Sequence, residues 1–293
     1  MTPAFLRRDW FFFCAAFAAW VAVAAGLHGG HRYFKPPLQS VDVRTLAPQA
    51  QSNPWQSKLD QIRQRLQSET SPQQVAQLNA VAGMTFFEWY GASGQKPLLD
   101  SAGARLSAAA AVTADVQVRF LMGRVRYEAG DFPGAAAHFG AVLAADPKHA
   151  LSIYNLGAAL YRRGDAAGAR TRLEQAAALQ PLPGCGFLLG TIALDAKDYG
   201  RAVHGFEQEI AAAEKFPADR SFFTVVPKEL TASLGESHRE LAGLYAAEFK
   251  NPQKARLHFQ EYSRLVKDPA RIEAAFAKLN RRWGDRLDAA ALR

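Results

Sequence analysis

The sequence predicts an all-α protein, a solenoid of stacked helical hairpins carried behind one N-terminal transmembrane helix. Three observations predict it. The stretch "YNLGAALYRRGDAAGA", Tyr154–Ala169, recurs with matched residue types 34 residues earlier and 33 residues later. The run Trp10–Leu27 carries no charge. Between the two, residues 36–56, "PPLQSVDVRTLAPQAQSNPWQ", are rich in Pro, Gln and Ser, the composition of a semi-extended linker.

Residues 1–35 form the first segment, with the span at about residues 10–27. A helix over this run is about 27 Å long, just enough for a hydrocarbon core of roughly 30 Å. Trp10 and Tyr33 fall near the two expected interfaces. A single-pass signal anchor is the leading reading. A cleaved signal peptide is a second, because Ala22-Val23-Ala24 has the small-x-small form of a cleavage site. A buried soluble helix is a third. Arg7 and Arg8 precede the span and Arg32 and Lys35 follow it, so the charge rule is nearly balanced. The short N-terminal tail favours tail inside and bulk outside. In a bacterium this is a single-pass protein of the inner (cytoplasmic) membrane with its bulk in the periplasm.

Residues 57–115 read as a helical lead-in, and Ser71–Val112 looks like a degenerate first hairpin. The clear repeats fill residues 116–265. Gly157 and Gly164 mark one copy, seven residues apart. Their counterparts are Gly123 and Gly130 in the copy before, and Gly190 and Lys197 in the copy after. A looser fourth copy, "ESHRELAGLYAAEFKNPQKARLHFQEYSRL", has Gly243 as its marker. Ala135, Ala169, Ala202 and Ala255 share a second-helix position, and Phe139, Leu173, Phe206 and Phe259 share the bulky position beyond it. Glycines without side chains suit a close approach of two helices, and Gly130 and Gly164 suit the left-handed conformation that stops a helix. Lys197 departs from that rule, and "KFPADRSFFTVVPKEL" lengthens the connection before the fourth copy. One such hairpin cannot bury its apolar face alone, so neighbours must stack.

The period and residue pattern resemble the tetratricopeptide repeat family, over roughly Val116–Leu265. The resemblance implies a right-handed solenoid whose first helices line a concave face that takes a protein or peptide partner. Carried onto this sequence, that face comprises Phe120, Arg124 and Tyr127, then Tyr154, Ala158, Tyr161 and Arg162, then Phe187, Thr191 and Leu194. Aromatics beside arginines suit hot-spot contacts. The row Phe120, Tyr154, Phe187 suits packing between adjacent hairpins equally well. Tyr127, Tyr161 and Arg162 are more natural at a wet surface, because a phenol or a guanidinium keeps a polar end.

Residues 266–293 read as a basic C-terminal helix. Ile272, Phe276, Leu279 and Trp283 form an apolar stripe suited to capping the last repeat, while Arg281, Arg282 and Arg286 suit anionic lipid. The formal net charge of +8 favours anionic partners without choosing among them. No nucleic-acid module is present, and nucleic acid is not an expected partner. Two cysteines, Cys14 and Cys185, cannot build a Cys-based zinc site. "GCGFLLG" has no strand leading into it, and the repeat register already explains Gly190. His138, His204 and His258 recur at similar second-helix positions and read as surface or packing residues. No catalytic motif, cofactor or metal is expected.

The sequence thus leads to a membrane-anchored scaffold or adaptor for protein partners, in the assembly of an envelope or membrane protein complex. A fixed structural subunit of a membrane complex and a secreted periplasmic protein with a cleaved signal are the alternatives.

Overall fold

The computed structural model describes residues 53–215 and 228–292. The expected membrane span, the linker up to residue 52 and most of the long connection before the fourth copy lie outside the described residues. Among the described residues, no helix is long and apolar enough to cross a membrane. All their regular structure is helical. They fall into two compact units, residues 53–129 and residues 130–215 with 228–292.

In the first unit, α1 (Pro54–Ser68) starts inside the segment read as linker. Asn53 accepts the Trp55 N–H at 3.1 Å, and Pro54 supplies a pre-set φ at the first helical position. Leu59 and Ile62 bury against Leu78 and Ala82 of α2 (Pro72–Ser93), and Trp55 stacks on Trp89 with ring centres 6.3 Å apart. Gly94, at φ +71°, ends α2, and α3 (Pro97–Ala110) returns along it. A Cβ on Gly83 would lie 2.6 Å from Leu106 Cγ and 3.1 Å from the Ala102 carbonyl oxygen. The lead-in is therefore a hairpin of the same design as the later copies, with a longer first helix. The next helix, α4 (Val116–Glu128), turns Val118 and Val125 into the core of Leu99, Ala102, Leu106 and Ala109. This is why the unit boundary falls after Ala129, whereas the sequence pattern places it at 115/116.

The second unit runs through α5 (Phe132–Ala145), α6 (Ala150–Arg162), α7 (Ala166–Leu179), α8 (Cys185–Asp195), α9 (Tyr199–Lys215), α10 (Lys228–Ala247), α11 (Pro252–Val266) and α12 (Pro269–Trp283). A 3-10 turn, Gly284–Arg286, leads to the short α13 (Ala289–Leu292). From α6 to α11 each helix packs on its neighbours in sequence, as a solenoid requires.

One turn chemistry serves all four copies. Gly130, Gly164, Lys197 and Lys250 stand seven residues after the marker glycines, with φ of +84°, +87°, +60° and +48°. The residue after each one caps the following helix through its side-chain oxygen. Asp131 accepts from Gly134 N and Asp165 from Gly168 N, both at 2.9 Å, Asp198 accepts from Arg201 N at 3.1 Å, and Asn251 accepts from Lys254 N at 3.0 Å. Lys197 thus does what the glycines do, at the steric cost of a Cβ in the left-handed region.

The rows of small and bulky residues are core. Ala135, Ala169, Ala202 and Ala255 are fully buried, as are Phe139, Leu173 and Phe206, and Phe259 is nearly so. Each bulky residue contributes roughly 1.5–3 kcal/mol by leaving water. A Cβ on Gly157 would meet Leu173 Cγ at 3.0 Å, and one on Gly190 would meet Phe206 Cδ1 at 2.7 Å. The fourth copy differs, because the atoms nearest Gly243 are Trp283 Nε1 at 2.7 Å and Leu279 Cδ2 at 2.8 Å, both from α12. Leu279 and Trp283 are buried with Leu241, Leu244 and Tyr245.

Candidate partner-binding face

The residues assigned to the concave face separate into two groups. Phe120 and Tyr154 are almost wholly buried and serve the core. Phe187 is half-buried, with its ring 5.9 Å from that of Phe206. Thr191 turns its hydroxyl to the Phe187 carbonyl of its own helix, at 2.8 Å. Tyr127, expected at a wet surface, is buried instead, and so is Arg124 beside it on α4. Arg124 is only 4% exposed, with its guanidinium 5.2 Å above the Phe87 ring, and Tyr127 is 8% exposed. A guanidinium is weakly hydrated and stacks on aromatic faces, so it can be buried where an ammonium would not be.

Tyr161 and Arg162 stand apart from these. Arg162 is exposed, with its guanidinium 4.6 Å above Phe132. Tyr161 is half-buried and donates its hydroxyl to Asp195 Oδ2 at 2.6 Å. Burial pushes the Tyr161 phenol up to about 12, and the bond to the Asp195 carboxylate adds to it. An open groove between α6, α7 and α8 is bounded by Tyr161, Arg170, Ile192 and Asp195. Sequence reasoning missed Asp195, which stands 33 residues after Arg162 and so at the repeat position next to that of Tyr161.

A chain of charges extends from Asp195. Arg282 of α12 approaches Asp195 Oδ1 at 3.4 Å and Glu240 Oε2 of α10 at 3.5 Å. Glu240 also accepts from Arg239, which in turn pairs with Glu236. Arg286, one turn beyond Arg282, pairs with Glu248. First helices α6, α8 and α10 therefore share one polar row, met by Arg282 of α12 and Arg286 of the turn after it.

The glycine-rich start of α8 is filled from within. Gly184, at φ +96°, gives α8 no side-chain cap. Instead the buried Glu209 carboxylate of α9 accepts the Gly184 N–H at 2.6 Å and 2.7 Å and the Phe187 N–H at 3.2 Å. Ser233 of α10 donates to the same carboxylate. Burial raises the Glu209 pKa, while these donors oppose the rise. The helix N-terminus that could attract a phosphate is thus closed by the protein's own carboxylate. His258 pairs with His238, their Nδ1 atoms 3.0 Å apart. Among the described residues, no three or more His, Cys, Asp or Glu side chains are grouped to hold a metal ion.

Comparison with known proteins agrees with this architecture. A family model described as "Tetratricopeptide repeat" matches residues 120–184. The solved structure reported for the functional characterization of Pseudomonas aeruginosa pilF is similar at a TM-score of 0.55 and 14% identity, over 90% of this chain and 98% of that one. The APC/C hetero-tetramer Cut9-Hcn1 is similar at a TM-score of 0.56 and 14% identity, over 77% of this chain and 39% of that one. At such identities the likeness is one of fold. No curated protein matches the sequence. The marker glycines, the left-handed turn row and the buried Ala row agree with a tetratricopeptide-type helical-repeat fold, and residues 120–184 carry the match to that family.

Proposed function

We propose that the chain is a membrane-anchored scaffold or adaptor that holds a protein partner on the first-helix face of its second unit, in the assembly of an envelope or membrane protein complex. A tetratricopeptide fold is suited to protein interaction, and its family supports that part of the reading. The anchor rests on the uncharged run Trp10–Leu27 and the Pro/Gln/Ser-rich stretch after it. The observation that carries the binding reading is the Tyr161–Asp195 pair. It sets an oriented phenol and a half-exposed carboxylate side by side, on a face whose other aromatics are spent on the core.

The test is affinity purification of the tagged full chain in mild detergent with mass spectrometry, repeated with Tyr161→Ala/Arg162→Ala. The double variant should lose partners that the parent recovers. Undiminished recovery by a variant that melts like the parent would move the binding surface elsewhere. The anchor is tested separately. The protein should remain with membranes after carbonate washing, and a mature N-terminus at Ala25 in a soluble fraction would replace the anchor with a cleaved signal.

A further inference from the structure

The first-helix row of the second unit already has an occupant, which is the chain's own α12. Trp283 and Leu279 fix its backbone by closing on Gly243, and both are buried. Trp283 also packs on Tyr199, with ring centres 5.8 Å apart. Two cations, Arg282 of α12 and Arg286 of the 3-10 turn that follows it, flank that tryptophan in sequence. They sit on Asp195 and Glu240 in one case and on Glu248 in the other. The charges complement one another. Of the acids named there, Glu236 and Glu240 already pair with Arg239 and Glu248 with Arg286, which leaves Asp195, with a side chain 51% exposed, as the acid most open to an incoming cation.

The contacts of α12 differ in strength. The apolar ones are deep. Arg282, by contrast, has a side chain 35% exposed, and its pairs at 3.4 Å and 3.5 Å are longer than the 2.7–2.9 Å of a strong charge-assisted bond. The Asp195 side chain is 51% exposed and already aimed by Tyr161. A loosely held pair at a wet edge exchanges easily, since such pairs are worth about 1 kcal/mol at most. Displacing the Arg282 side chain does not require α12 to move.

We propose that Arg282 is a built-in competitor guarding Asp195, and that the partner reaches this face with a cationic helix that lies beside α12 rather than in its place. This rests on the reading of the first-helix face as the binding surface. The partner's arginine or lysine takes Asp195 in place of Arg282, beside Tyr161. The freed Arg282 keeps Glu240 as its counter-charge. The resident contact therefore sets a threshold that selects cationic helices over neutral or acidic ones.

The probe is a fluorescein-labelled peptide of residues 269–286, titrated by anisotropy into the full chain in detergent. Arg282→Ala should tighten its binding about fivefold relative to the parent chain. Asp195→Asn should weaken it, and Arg282→Ala with Asp195→Asn should remove the gain. Lys278→Ala, an exposed cation elsewhere on α12, should leave it unchanged. Helical content and melting of each variant establish that it is folded. Equal affinity for the parent and Arg282→Ala, a gain that survives Asp195→Asn, or no binding to any variant would each overturn the proposal. The broader reading fails differently, by undiminished partner recovery in Tyr161→Ala/Arg162→Ala. Loss of partners there, with no effect of Arg282→Ala here, would keep the face and remove the guard.

Discussion

Tyr161 donates its hydroxyl to Asp195 at 2.6 Å, joining the first helices of two consecutive repeats at positions 34 residues apart. The bond is at the edge of the structure rather than in its core. Tyr161→Phe should therefore change stability by no more than about 1.5 kcal/mol in urea denaturation, the usual scale of one hydrogen bond. Tyr161→Ala/Arg162→Ala should weaken partner capture at least about tenfold, or ~1.4 kcal/mol. Ala169→Leu should do the opposite, lowering the melting temperature through overpacking of a fully buried site. If the tyrosine variant unfolds as readily as the Ala169 variant, Tyr161 belongs to the core and not to the binding face.

The tight glycines are not equivalent. A Cβ on Gly157 would meet the side chain of Leu173, at 3.0 Å, and that side chain can shift. A Cβ on Gly186 would meet the Glu209 backbone nitrogen at 2.5 Å and the Gly205 carbonyl oxygen at 2.6 Å, and neither can shift without parting α8 from α9. Gly157→Ala should stay within about 1 kcal/mol of the parent, because alanine's helix preference offsets the squeeze. Gly186→Ala should cost roughly 3 kcal/mol or more. Urea midpoints of the two variants decide the order, and equal midpoints would show that the α8–α9 contact is loose.

The repeat skeleton was legible because it depends on local chemistry. Turn residues, caps and small-residue positions are each dictated within a few residues, so Gly164-Asp165 and Ala169 announce themselves. The lead-in hairpin was only half legible. Gly83 and Leu106 play the roles of Gly157 and Leu173, but a longer first helix hides the interval. The face was harder still. Exposure of Arg124 or Tyr127 depends on what packs over them, and repeat position alone is silent on that. Arg282 meets Asp195 across 87 residues, a distance at which sequence pattern carries no pairing information.

The His238–His258 pair makes the fourth hairpin acid-sensitive. The two Nδ1 atoms share one hydrogen at 3.0 Å, so at least one ring is neutral on that side. Burial lowers both pKa values, that of His258 to about 4, and each ring is disfavoured further by cations such as Arg264 or Lys254. Glu214 and Glu261 at His238, and Glu207 and Glu261 at His258, work the other way. The folded state thus binds fewer protons than the unfolded chain below the ordinary value of 6.5. Stability is full above pH 6.5 and falls as pH drops toward 4, by roughly 1–2 kcal/mol after allowance for solvent at the partly exposed His258 ring. His258→Gln should flatten this part of the profile. Parallel profiles for parent and variant between pH 7.5 and 4.5 would remove the pair as its cause.

Lys197 offers the sharpest test of the turn chemistry. It stands where two other copies carry glycine, and it adopts the same left-handed backbone, φ +60° beside +84° for Gly130 and +87° for Gly164. For a residue with a Cβ that conformation costs about 1–2 kcal/mol, part of which a glycine returns as extra freedom in the unfolded chain. Its side chain is exposed, so little packing is lost on removing it. Lys197→Gly should accordingly raise stability by about 0.5–1 kcal/mol, leaving helical content unchanged. Lys250→Gly should gain less, because Lys250 also donates through Nζ to the Arg286 carbonyl at 3.0 Å and the substitution removes that tie to the α12 end. Paired urea melts rank the two. A loss of stability in Lys197→Gly would mean that the lysine stem contributes packing that outweighs the strain, and that the third turn is held by its side chain rather than by its backbone.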